Sequence, residues 1–100
     1  MAKFEVYQIE RVSENDEIQR DAMCFGGDFV TQELFKKYYK QVAIVVADNL
    51  ENVFKITNLW DEEDKVRKLA PMHSMSVGDC VFSHEEKQLY VCDRFGFKTL

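Results

Sequence analysis

Two aspartates and a thin scatter of cysteine and histidine are the residues of this chain best equipped for chemistry. Asp79 and Asp93 bracket a segment that reads as a β-hairpin. Residues 77–83 and 89–93 are strand-like, and the polar tip 84–88 lies between them. A three-residue tip sets Val81 opposite Val91 and Phe82 opposite Tyr90, and it brings the two carboxylates face to face at the open end. Opposed like charges are unfavourable. Such a pair needs a cation, a partner or one carboxyl held protonated. That is the arrangement of a small metal-dependent or hydrolytic site. The simpler reading makes both residues turn formers: Asp79 follows Gly78, and Asp93 caps the next turn through its own side chain.

Cys24, His73, Cys80, His84 and Cys92 are the soft ligands and nucleophiles. Structural zinc sites bring ligands in close pairs such as Cys-x-x-Cys, because one turn then supplies two of them. The chain has no such pair. In the three-residue-tip register Cys80 and Cys92 stand opposite each other, with His84 further along the Cys80 side. Two small buried apolar side chains explain that placement without a metal. A cysteine nucleophile needs a thiolate activated by a neighbouring base, and no local motif sets either histidine beside a cysteine. The chain lacks a Gly-x-Ser-x-Gly elbow, a phosphate loop and a dinucleotide fingerprint. No metal, no cofactor and no catalytic residue is therefore expected. The three thiols are expected to be reduced, because a disulfide scaffold of this size carries a denser, even set.

The elements that position these residues follow from periodicity. Residues 3–12 read as a first strand, with Phe4 and Val6 pointing one way and Tyr7 and Ile9 the other. Ile18, Ala22 and Phe25 recur at helical spacing up to Gly26-Gly27. Asp28 offers a cap for a second helix over 29–39, where Val30, Leu34 and Tyr38 share a face. Residues 41–47 are continuously apolar and β-branched, the pattern of a central strand buried on both sides. Val42, Ile44 and Val46, with Ala43 and Val45 opposite, are expected to be nearly free of solvent. Asp48 with Glu51 three residues on resembles a capping box for a helix over about 49–58. Residues 61–69 are strongly charged, either one extra helical turn from Asp64 to Leu69 or a solvated loop. Ala70-Pro71 breaks the chain before the hairpin. The sum is one α+β domain over residues 1–100. It has a mostly antiparallel or mixed sheet of about four to five strands, two to three short helices and a C-terminal hairpin.

Charge narrows the partners. The 18 acidic residues exceed the 13 basic ones, giving a net charge of −5. Lys36, Lys37 and Lys40 form the best candidate basic patch, too small for counterion release to drive nucleic-acid binding. The longest clean apolar run, 42–47, is far short of the roughly 20 residues that span a bilayer. The start lacks an apolar signal core, so a cytoplasmic protein is expected.

The candidate interaction surface is the charged segment with Trp60 as its anchor and Asp61, Glu62, Glu63 and Asp64 as its rim. Glu85 and Glu86 of the hairpin tip join it. Aromatics rimmed by charge are typical interface anchors. Packing of Trp60 against the sheet edge is the competing reading.

The run from Met72 to Phe82 followed by the run from Leu89 to Phe97 resembles the YodL-like/KfrB-like domains of bacterial, plasmid and phage proteins. The likeness rests on Ser74, Ser76, Gly78, Asp79, Asp93, Gly96 and Phe97 in a Ser-x-Ser-x-Gly-Asp strand and an Asp-x-x-Gly-Phe turn. Met75 replaces a leucine of that pattern and Cys92 a valine, both changes that keep a similar apolar side chain. The resemblance implies an accessory protein of a phage or mobile element and no established catalytic activity. Three functions follow as expectations. The first is a small acidic, non-enzymatic module that binds a host or element-encoded protein, in an oligomeric state that the residues do not fix. The second is an acidic mimic of nucleic acid that blocks a DNA-binding enzyme. The third is a small enzyme using Asp79 and Asp93.

Overall fold

A single antiparallel sheet organises the chain, and it is apolar on both faces. The structure, a computed structural model, describes residues 2–10, 12–59 and 63–100. The strands are β1 (Ala2–Ile9), β2 (Tyr39–Ala47), β3 (Val66–Lys68), β4 (Cys80–Ser83), β5 (Gln88–Asp93) and β6 (Gly96–Thr99). The helices are α1 (Asp16–Phe25), α2 (Gln32–Tyr38) and α3 (Leu50–Leu59). Six strands run in the order β3-β2-β1-β4-β5-β6, every neighbour antiparallel.

Alternation along β1 sorts the core into two. Phe4 and Val6 join Ala43, Val45 and Val81 beneath Val53 and Ile56 of α3. Tyr7 and Ile9 join Tyr39, Cys80 and Val91 beneath Ala22 of α1 and Phe35 of α2. A β-bulge crosses this pattern. Val6 pairs with Ala43 and Tyr7 with Gln41, so Val42 has no partner across the ladder. Its carbonyl instead accepts from the N–H groups of Leu69 and Ala70, at 2.9 and 3.3 Å, which draws the chain after β3 back onto β2.

Four expectations from the sequence need correction. The strand over 41–47 is second from the edge, and β1 and β4 occupy the middle. Ala43 and Val45 are buried under α3, but Ile44 is half-buried and Val46 is 38% exposed. The reason is coverage: α1 and α2 pack over the Tyr7–Ile9–Tyr39 end of that face and leave the Val46 end open. The second helix begins at Gln32. Thr31 caps it through Leu34 N–H at 3.2 Å, while Asp28 is used in the single 3-10 turn Gly26–Asp28. Asn49, not Asp48, caps α3, accepting from Asn52 N–H at 2.8 Å. The charged segment after α3 holds a 3-10 turn, Glu63–Lys65, and then a sixth strand, β3. The open edge of β2 recruits it through Val45 and Val66.

These burials set unequal costs along one strand. Val45→Ala should destabilise the protein by about 2 kcal/mol in a urea titration, the transfer of two methyl groups plus a cavity. Val46→Ala, on the open part of the sheet, should stay within about 0.5 kcal/mol.

Candidate functional site

The hairpin register decides what the two aspartates can do. The observed pairs are Cys80–Val91, Val81–Tyr90, Phe82–Leu89 and Ser83–Gln88. This is a slip of one residue from a three-residue tip. The tip holds four residues, 84–87, and Lys87 closes it in the left-handed region at φ 54°. A slip of one residue sends each side chain to the other face of its partner strand. Asp79 and Asp93 are therefore not a facing pair. Cys80 and Cys92 are parted in the same way, Cys80 facing the α1/α2 core and Cys92 pairing with Phe97.

Asp79 is buried and bonded inward. Its Oδ2 accepts from Gln8 Nε2 at 3.0 Å and from Ser76 N–H at 2.9 Å. Gln8, buried on β1, also donates to the carbonyl of His73 at 2.9 Å and accepts from His73 N–H at 3.2 Å. Tyr39 OH donates to the carbonyl of Gly78. Gly78 has φ 95°, and a Cβ there would lie 2.7 Å from the Ala22 carbonyl oxygen, so only glycine fits beneath α1. Ser76 thus acts through its backbone. Ser74 is exposed, and its carbonyl accepts from His73 Nδ1 at 2.7 Å. The Ser-x-Ser-x-Gly-Asp run is a clamp that fastens the irregular segment 71–79 to β1, β2 and α1.

Asp93 does the same work at the next turn. Its Oδ1 accepts from Arg94 N–H at 2.8 Å and its Oδ2 meets Lys98 Nζ at 3.1 Å. The Arg94 N–H bond and Lys98 hold its carboxyl below the usual range, with Gly27 N–H adding to the effect. A Cβ at Gly26 would sit 2.6 Å from Asp93 Oδ1, so the glycine pair after α1 makes room for this carboxylate. Gly96 closes the two-residue turn at φ 116°. Phe97 lies half-buried against the α3 core.

The soft ligands are dispersed. Among the described residues no group of three or more His, Cys, Asp or Glu is placed to hold a metal. Burial, with the Asp79 charge adding, raises the Cys92 thiol to about 12 and pushes Cys80 further. Neither thiol supplies a thiolate near neutral pH. His84 pairs with Glu5, whose carboxylate also accepts from Tyr7 OH at 2.6 Å and Gln41 Nε2 at 3.0 Å. Burial and that bond raise Tyr7 to about 12.

The surface expected from the sequence lies only partly within the described residues. Trp60, Asp61 and Glu62 lie outside the described residues, as does the side chain of Glu63. Asp64 is exposed next to β3, while Glu85 and Glu86 are exposed at the β4–β5 tip. Two strands, β2 and β1, separate Asp64 beside β3 from the tip that β4 carries.

What the structure gathers instead is phenylalanine around the β5–β6 turn. Phe95, at the tip, is fully exposed, and Phe25 is 55% exposed. A groove of about 450 Å³ runs between Phe25, Phe95 and Lys98. On the other side of the turn a smaller groove, about 210 Å³, is lined by Glu51, Phe54 and Phe97. Glu51 also lines a third groove, about 720 Å³, with Asp48, Glu85, Glu86 and Tyr90. Sequence reasoning did not single out these phenylalanines as a surface. The signal for Phe95 was its place just before Gly96 in a two-residue turn, where no side chain packs inward.

Comparison with protein-family models, with curated proteins and with solved structures finds no match in any of the three.

The pinning of the turn has a pH signature. A carboxyl whose folded pKa is depressed contributes stability above its unfolded value, and loses it as pH falls through the folded one. Asp93→Asn should therefore lower the urea midpoint near pH 7. The difference from the parent should shrink as pH falls below about 4, the ordinary carboxyl value. A difference that does not change with pH would remove Asp93 from this role.

Proposed function

We propose that this chain works as a small acidic, non-enzymatic module that binds another protein through the end of the sheet marked by the β5–β6 turn. The supporting observation is Phe95. A fully exposed phenylalanine loses nothing by being polar in the free protein, and here it stands on a turn that Asp93 holds still. Preformed aromatic anchors lower the ordering cost of association. Phe25 and Phe54 flank the same turn and extend the apolar contact.

The enzymatic alternative has less support, since Asp79 and Asp93 are each committed to a different irregular segment. The nucleic-acid mimic has less support too, because exposed aromatics mark the turn and the carboxylates beside it line a groove. The resemblance noted above would place the partner among host or element-encoded proteins, and the encounter in the cytoplasm.

Phe95→Ser should leave the urea midpoint within about 0.5 kcal/mol of the parent. Affinity capture with mass spectrometry should then show a partner retained by the parent and by Lys36→Ser, and lost with Phe95→Ser. Equal retention by Phe95→Ser, or no retained partner, would contradict the proposal.

A further inference from the structure

The sheet ends at β6, and its outer side pairs with nothing among the described residues. The ladder tells which groups are left over. Leu100 N–H bonds to the Leu89 carbonyl at 2.9 Å, so Leu100, Lys98 and Gly96 turn their backbone groups inward to β5. In an antiparallel pair the alternate residues turn outward. Phe97 and Thr99 therefore present their N–H and C=O groups to whatever lies beyond the edge. Edge strands are commonly blunted by a charged side chain. Lys98 is the only charge on β6, and it is engaged on the α1/α2 face by Asp93 and Asp28. The α3 face of the edge carries Phe97 and Thr99 unguarded.

That face opens directly onto the two grooves beside α3. The nearer one offers apolar walls in Phe54 and Phe97. The farther one, reached past Thr99 and its cross-strand neighbour Tyr90, is lined by Asp48, Glu51, Glu85 and Glu86 and by no Lys or Arg. Arg94 lines the nearer groove but not the acidic one, and its guanidinium donates to the Cys24 carbonyl at 2.9 Å. Glu51 lines both grooves, so they share a wall.

We infer that β6 accepts an extended segment of a partner protein as a seventh strand, with an apolar side chain in the Phe54–Phe97 groove and an arginine or lysine reaching toward Glu51 and the acidic groove. Strand addition takes its affinity from main-chain hydrogen bonds and its specificity from alternate side chains. Neighbouring strands lie about 4.8 Å apart, which sets the Tyr90 row about 9.6 Å from an added strand, so a long basic side chain there reaches over β6 toward Tyr90. The inference rests on the reading of the chain as a protein-binding module and specifies the chemistry of the partner.

The probe is a short labelled peptide of alternating apolar residues and arginine, followed by fluorescence anisotropy at low salt. A second peptide carries glutamate in place of each arginine. Thr99→Pro removes only an outward N–H, a change that edge strands tolerate. Glu51→Lys with Glu85→Lys reverses charge at the groove, and Glu14→Lys with Glu33→Lys makes the same change in net charge elsewhere.

The arginine peptide should bind and the glutamate peptide should not. Thr99→Pro and the groove pair should each weaken binding about tenfold, and the distant pair should stay within about twofold. Independently of any variant, the amides of Phe97 and Thr99 should gain hydrogen-exchange protection when the arginine peptide is bound. Absence of binding, equal binding to Thr99→Pro, or equal loss in both charge pairs would overturn the inference. A dimer of the parent that Thr99→Pro abolishes would give the edge to a second copy and overturn it as well. If Phe95-dependent capture persists while the arginine peptide fails, strand addition falls and the binding module stands. If capture ignores Phe95, the module reading itself falls.

Discussion

Burying a carboxylate is costly unless its oxygens find donors, and the structure depends on how Asp79 meets that requirement. Gln8 is the other half of the answer. It lies in β1, the strand that touches both β2 and β4, and its amide is spent entirely on Asp79 and His73. Through it the irregular segment 71–79 is tied to the middle of the sheet, and Met75 is delivered into the α3 core. Tyr39 and Gly78 complete the tie from β2 and α1. The start of β4, and with it the register of the whole hairpin, follows from where this segment is held.

A second carboxylate repeats the principle at the periphery. Asp93 joins the β5–β6 turn to the glycine pair that ends α1. The turn therefore holds Phe95 away from the body of the protein without letting it collapse onto Phe25. An exposed apolar side chain on a turn tied down by hydrogen bonds is the feature on which the proposed contact with a partner rests. The same turn ends the sheet at β6, so the anchor, the open edge and the acidic groove lie side by side. The Ser-x-Ser-x-Gly-Asp motif lies away from this surface, while the Asp-x-x-Gly-Phe motif contributes Phe97 to it.

Much of this was legible in the residues. Alternation in β1 separated the two cores, and Gly26-Gly27 marked the end of α1. The role of Asp93 as a cap on its own turn was also readable, because Asx side chains bond locally. What escaped was set by distant partners. The hairpin tip has four residues because Lys87 adopts a left-handed conformation that its type does not advertise. The bulge at Val42 and the recruitment of residues 66–68 as a strand depend on the free edge of β2, which lies far away in sequence. Gln8, a polar residue inside an apolar strand, gave a visible signal of a buried partner, yet nothing local named Asp79. Phe95 fell in a turn by its residues, but its full exposure was not readable because aromatic content alone does not tell a packed ring from a free one.

The claim that carries the rest is that Asp79 serves the fold through Gln8. A double-mutant cycle of Gln8→Ala and Asp79→Ala, read by urea denaturation, tests it. Each single change should cost about 1–3 kcal/mol, because each leaves the other buried group unsatisfied. The double variant should cost clearly less than the sum, with a coupling of about 1 kcal/mol or more. Strictly additive effects, or an Asp79→Ala variant as stable as the parent, would contradict the account and return Asp79 to the list of functional residues.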